Sequence, residues 1–106
     1  MPGMYQLKDL LRLAARERAE ELLLEPDLPP RMRLHGRVRV LDGPLLTGDE
    51  VGQLLRSIAT DEQRRELELC GDAHFRYAAD DLAQFGVHAR MQNNRLHVKI
   101  KYLSPS

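Results

Sequence analysis

Leu7, Leu10, Leu11, Ala14 and Ala15 recur at helical spacing, with Lys8, Arg12, Arg16 and Glu17 on the opposite side. This pattern predicts an amphipathic helix over about residues 6–18 whose apolar stripe covers a sheet. The run Glu20-Glu21-Leu22-Leu23-Leu24-Glu25 ends at Pro26 and predicts a short strand. Pro26, Pro29 and Pro30 then hold an extended connection, because each fixes φ and disfavours helix before it. From Arg31 to Val40 apolar residues alternate with arginines on both sides of His35-Gly36, the signature of a β-hairpin. A two-residue loop there would set Leu34 opposite Arg37 and mix the faces. A three-residue loop with Gly36 left-handed keeps Met32, Val38 and Val40 on one face and Arg31, Arg33, Arg37 and Arg39 on the other. The alternation favours the three-residue loop.

Asp42-Gly43-Pro44 interrupts the pattern. Thr47-x-x-Glu50 then reads as a capping box, followed by the stripe Val51, Leu54, Leu55 and Ile58 of a second helix. A second box, Thr60-Asp61-Glu62-Gln63, opens a third helix running to Leu69, with Gly71 suited to a left-handed cap. From Ala73 the period becomes two. Phe75 and Tyr77 face one way, His74 and Arg76 the other; after a turn at Ala79-Asp80-Asp81, Phe85, Val87, Ala89 and Met91 continue the apolar face. Asn93-Asn94 is a two-residue hairpin turn that pairs Met91 with Leu96, Ala89 with Val98 and Val87 with Ile100. The fold class that follows is α+β: an antiparallel sheet of five to six strands with helices packed on one face, in a single domain spanning 1–106.

Composition narrows the function. The 106 residues carry 16 basic and 16 acidic side chains, so net charge gives no reason to expect a general nucleic-acid or membrane binder. The neutrality is segregated: Arg31, Arg33, Arg37, Arg39, Arg76, Arg90, Arg95, Lys99 and Lys101, with His35, His74, His88 and His97, gather on the polar sheet face, while acids, apart from Asp72 at a strand start, sit on helices, first strand and loops. A basic sheet face set against a net acidic helical layer is expected. Its readings are plain solvation by long stems, or docking to an acidic protein surface. Nucleic acid is disfavoured because Phe75, Tyr77 and Phe85 point inward, leaving no stacking platform outside. A metal site is disfavoured because His97 falls opposite Arg90 and His88 opposite Lys99, with no carboxylate to orient an imidazole. No phosphate loop, nucleophile elbow or His-Glu-x-x-His is present, which argues against an enzyme and against a bound cofactor. The lone Cys70 forms no intramolecular disulfide and reads as a packed or idle thiol. The start Met1-Pro2-Gly3-Met4 does not open a secretory signal, and no apolar run spans a membrane, so a cytoplasmic location without membrane insertion is expected.

The order and wording of the segments resemble the N-terminal domain of PilT-type ATPases, the retraction motors of type IV pili within the secretion-ATPase superfamily. The resemblance covers almost the whole chain. Leu28-Pro29-Pro30-Arg31-Met32-Arg33-Leu34-His35-Gly36 is similar to the family's Leu-Pro-Pro-x-Ile-Arg-Val-Asp-Gly and is its most specific part. Leu7 to Ala14 resembles the first helix, and Ala19-Glu20-Glu21-Leu22-Leu23-Leu24 stands where the family writes Ala-Ser-Asp-Leu-His-Leu. Leu46-Thr47, Thr60-Asp61-Glu62-Gln63, Ala73 to Tyr77 and Gln84 to His88 match further segments in the same order. The resemblance implies a PAS-like domain that, in the full-length motors of twitching motility, packs on the ATPase domain of a neighbouring subunit. Hairpin arginines there approach the nucleotide, and Arg33 matches one of them. The chain ends before the ATPase domain would begin, Leu23 replaces a histidine, Glu20-Glu21 replace Ser-Asp, and His35 replaces the turn aspartate. The expected function is a non-catalytic protein-interaction module using Arg31, Arg33, Arg37, Arg39, Arg76, Arg90, Lys99 and Lys101. Its partner would be a protein such as a pilus or secretion ATPase or a regulator, with homo-oligomerisation open. The alternatives are a PAS-like sensory domain holding a small ligand, or the excised N-terminal domain of a full-length retraction ATPase.

Overall fold

The computed structural model describes residues 5–79 and 83–105. Three helices, α1 (Leu7–Arg16), α2 (Gly48–Arg56) and α3 (Asp61–Cys70), accompany six strands: β1 (Glu21–Leu24), β2 (Arg31–Leu34), β3 (Arg37–Val40), β4 (Asp72–Ala79), β5 (Ala83–Gln92) and β6 (Arg95–Pro105). The strands form one antiparallel sheet in the order β3-β2-β1-β6-β5-β4, so the first strand lies inside the sheet beside the last.

Local signals end α1, begin α2, and both begin and end α3. Helix α1 stops in a Schellman closure: Ala19 N–H donates to Ala14 C=O and Arg18 N–H to Ala15 C=O, with Arg18 at φ +56° in the position usually given to glycine. Both capping boxes form. Thr47 Oγ1 accepts from Glu50 N–H while Glu50 accepts from Thr47 N–H, and Thr60 and Gln63 repeat the exchange. Gly71 ends α3 at φ +73°.

The apolar sides of the helices close on one face of the sheet. Leu7, Leu10, Leu11 and Ala14 of α1, Val51, Leu54 and Leu55 of α2 and Leu67 of α3 join Leu22, Leu24, Met32, Phe85, Val87, Val98 and Ile100 in one cluster. Phe75 and Tyr77 pack half-buried against it, and Phe85 meets Tyr102 edge-on with ring centroids 6.0 Å apart. Asn93 and Asn94 adopt φ +55° and +63°, a type I′ turn, and pair Met91 with Leu96, Ala89 with Val98 and Val87 with Ile100 as the alternation requires. The turn expected at Asp80-Asp81 lies outside the described residues, as does the Met1–Met4 start.

Candidate functional site

The β2–β3 hairpin departs from expectation. Its loop has two residues, not three: Leu34 pairs with Arg37, Met32 with Arg39 and Arg33 with Val38. His35 and Gly36 both take positive φ, +52° and +78°, which is a type I′ turn whose twist matches that of the strands. Gly36 N–H donates to Glu20 Oε1 at 3.1 Å, tying the turn to the residue before β1. Arg37 and Arg39 therefore project to the side of Met32 and Leu34, while Val38 and Val40 share the outer face with Arg31 and Arg33. All four residues of β3 are exposed, because no helix reaches this edge strand. Register is imposed by burying one face. With neither face of β3 buried, turn chemistry decides.

The outer face is also less basic than expected. β1 runs between β2 and β6 and turns Glu21 and Glu25 to the same side as the arginines. Glu21 sits opposite both Arg33 and Lys101, and its Oε1 lies 3.2 Å from Arg33 Nε. Glu25 lies 2.8 Å from Arg31 Nη2 and 3.8 Å from His97 Nδ1. Leu23, flanked by Arg31 and Lys99, is only 6 % exposed although it points away from the helices. The stems of those long cations provide its cover. Arg33, the residue matching the hairpin arginine of the resemblance, is thus held by an acid of its own chain, and an acidic spine divides the face.

Beyond that spine the cations outnumber the acids, with Glu21, opposite Lys101, at the border. Arg76 and Lys101 flank Gly86 on β5, and Lys99 flanks His88. Among the described residues none of Arg76, Lys99 and Lys101 forms an ion pair with an acid, and Arg90 lies opposite Asp72 without closing on it. A bulge at Gln84/Phe85 inserts Leu103 as an extra residue of β6, and its side chain lies over Gly86. A Cβ at Gly86 would stand 3.5 Å from Leu103 Cδ1, an ordinary van der Waals contact, so the leucine lies directly over this part of the sheet. The result is a shallow concavity of about 470 Å³ with Leu103 exposed at its edge and Arg76, Lys99 and Lys101 around it. Arg95 is paired with Asp27 instead.

At the end of this wing a carboxylate stands where none was expected. His74 and His88 are direct cross-strand partners, their rings stacked with centroids 3.8 Å apart and planes 19° from parallel. Asp72 precedes His74 by two residues and so shares its face. Its Oδ1 is 2.5 Å from His88 Nε2 and its Oδ2 3.7 Å from His74 Nε2. The hydrogen bond from His88, aided by the charges of His88, His74 and Arg90, holds the Asp72 carboxyl below its ordinary 3.8. The signal was present in the sequence as Asp72-x-His74 at strand spacing. What the sequence withheld was the β4–β5 register that brings His88 to them.

On the helix side, a half-open cleft of about 770 Å³ lies between α1, α2 and β4, lined by Tyr5, Leu11, Leu54, Ile58 and Tyr77 with Lys8, Glu50 and Gln53 at its polar parts. The Tyr5 hydroxyl donates to Pro44 C=O at 2.7 Å, and burial together with nearby Glu50 raises its pKa.

This arrangement of helices and sheet is shared, as a fold, with part of ATPases of known structure. A crystal structure of the pilus retraction motor PilT with bound ADP superposes with TM-score 0.88 at 21 % identity, over 96 % of this chain and 30 % of that one. The ATPase DotB of Legionella pneumophila superposes with TM-score 0.72 at 17 % identity, over 97 % of this chain and 30 % of that one. No family model matches the chain. In sequence it is 33 % identical over 87 residues to the type IV pilus retraction ATPase PilT of Pseudomonas aeruginosa, covering 82 % of this chain and 25 % of that protein. It is 25 % identical over 89 residues to the type IV pilus ATPase PilU of the same organism, covering 84 % and 23 %. The chain spans about a quarter of the length of the curated relatives it matches. Sequence and fold together make it a homologue of the PilT N-terminal domain. No helix among the described residues is long and apolar enough to cross a membrane.

Proposed function

We propose that the chain is a non-catalytic, cytoplasmic docking module that binds the ATPase domain of a PilT-type motor through the outer face of β4, β5 and β6. The observation that carries this reading is the unneutralised group Arg76, Lys99 and Lys101 around exposed Leu103. Cations left without acids of their own chain beside an apolar anchor suit an acidic protein surface with a hydrophobic spot, and they speed encounter more than they add affinity. Arg31 and Arg33 are ion-paired with Glu25 and Glu21 and contribute little.

The test is binding of the chain to a separately produced PilT-type ATPase domain, followed by titration calorimetry at two salt concentrations. Arg76→Glu/Lys99→Glu/Lys101→Glu is expected to weaken binding at least about tenfold, since like charges placed across an interface cost several kcal/mol. The melting temperature should stay near that of the parent, because surface charges contribute little to folding. Arg37→Glu/Arg39→Glu, on the other side of the sheet, is expected to leave binding intact. Retained binding by the triple variant means the wing is merely solvated.

The half-open cleft beside Tyr5 and Tyr77 favours a second reading, a small-ligand regulatory domain, since its volume lies in the range of ligand sites. A thermal-shift screen of metabolites, with Tyr77→Ala as the control, separates it from docking.

A further inference from the structure

We propose that Asp72, His74 and His88 form a binding site for a divalent transition metal of the zinc class on the outer face of the β4–β5 hairpin. The proposal is independent of the docking reading. Its three donors come from adjacent strands: Asp72 and His74 are two residues apart on β4 and so point the same way, and His88 is the direct cross-strand partner of His74. One ligand atom from each lies within 4.8 Å of the others, a spread that a small cation with metal–ligand bonds of about 2.0–2.2 Å can draw together.

The orientation of the side chains is the stronger argument. Asp72 stands directly opposite Arg90, the partner an exposed carboxylate would be expected to take. Its oxygens are turned instead to the Nε2 atoms of two imidazoles, at 2.5 Å and 3.7 Å. Both rings thus turn Nε2 toward the same carboxylate, His88 to Oδ1 and His74 to Oδ2. The neutral imidazole nitrogen is the donor that ligates such a metal, and the stacked pair sets two of them side by side, ring centroids 3.8 Å apart. The carboxylate supplies the negative charge, and its low proton affinity keeps it available as a donor. Two nitrogens and one carboxylate oxygen select zinc, cobalt, nickel or copper over magnesium and calcium, which require all-oxygen shells. Water completes the coordination on the solvent side. As the rings stand they overlap face to face, so ligation requires the exposed His74 ring to swing about its own side-chain bonds, with no movement of the strands. Arg90 and Lys99 flank the site, and their repulsion keeps the affinity below that of a buried structural zinc centre.

Chelator-treated, untagged chain is titrated with ZnCl2 by calorimetry and with CoCl2 by visible absorption, in parallel with long-range ¹H–¹⁵N spectra of the imidazoles. One metal per chain is expected, with the His74 and His88 nitrogen signals shifting on addition of zinc and those of His35 and His97 fixed. MgCl2 should give no heat. Asp72→Asn, His74→Gln and His88→Gln should each weaken binding by at least about 10-fold, since loss even of an outer partner of a ligand costs that much. His35→Gln and His97→Gln should leave it unchanged. The proposal is overturned if the parent binds no zinc at stoichiometric amounts, or if the shifts fall equally on all four histidines. The spectra of the parent decide the matter even if a variant folds poorly.

Discussion

Glu25→Gln tests whether the acidic spine of the outer face is structural. Glu25 meets Arg31 at 2.8 Å with side chains 31 % and 24 % exposed, so both partners are more than two-thirds covered, and His97 lies 3.8 Å away. Exposed ion pairs contribute about 0.2–1 kcal/mol. Partial burial and the polar group left behind on Arg31 place this one at the top of that range, about 1 kcal/mol. In a domain of this size that lowers the melting temperature by roughly 4–8 °C. The assay is a double-mutant cycle in urea with Glu25→Gln, Arg31→Met and the double variant, which isolates the coupling from other effects of each change. A parallel cycle on Arg95 and Asp27, which are 49 % and 69 % exposed, supplies the contrast. Its coupling should be a few tenths of a kcal/mol at most and vanish in 1 M salt, where the screening length is about 3 Å. The Arg31–Glu25 coupling should survive. Equal couplings in the two cycles, or none for Arg31–Glu25, would refute the reasoning and return the face to solvated, independent charges.

Phe85→Ala removes the largest fully buried side chain, which also meets Tyr102 edge-on, and should cost about 3–5 kcal/mol, read as a drop in the urea midpoint. Gly36→Ala forces an L side chain into a left-handed turn and should cost about 1–2 kcal/mol, whereas His35→Asn, which suits a type I′ turn, should be neutral or stabilising; thermal melts distinguish the two. Because the Asp72 carboxyl is held below its ordinary 3.8, its contribution to stability is fully present above that pH and is lost as pH falls through the lowered value. The stability advantage of the parent chain over Asp72→Asn should therefore shrink as pH falls below about 4. A gap that widens below that pH would contradict the assignment.

The sequence discloses structure wherever two constraints agree and conceals it wherever one is missing. The capping boxes at Thr47 and Thr60 carry both a local hydrogen-bond pattern and an apolar stripe behind it, and both helices start where expected. At Asn93-Asn94 a turn that tolerates positive φ coincides with an alternation buried under helices, and the register follows. At His35-Gly36 the alternation pointed one way and the turn residues the other. The alternation carried no force there, since β3 has no helix to bury it. Leu22-Leu23-Leu24 shows no alternation at all, because Leu23 is covered from outside by cation stems; nothing local could reveal that Glu21 and Glu25 face the arginines. The Asp72–His88 contact depends on a register set 16 residues apart, and only the paired strands make it visible.

The exposed hairpin strand β3 has one further consequence. An edge strand offers unpaired backbone groups to any similar strand, and a second copy laid against it would extend the sheet. Here such a neighbour would meet Arg37 and Arg39 on one surface and Arg31 and Arg33 close behind Val38 and Val40 on the other. Two copies stacked edge to edge would bring arginine against arginine, so the uncovered rim of the sheet carries its own guard against polymerisation.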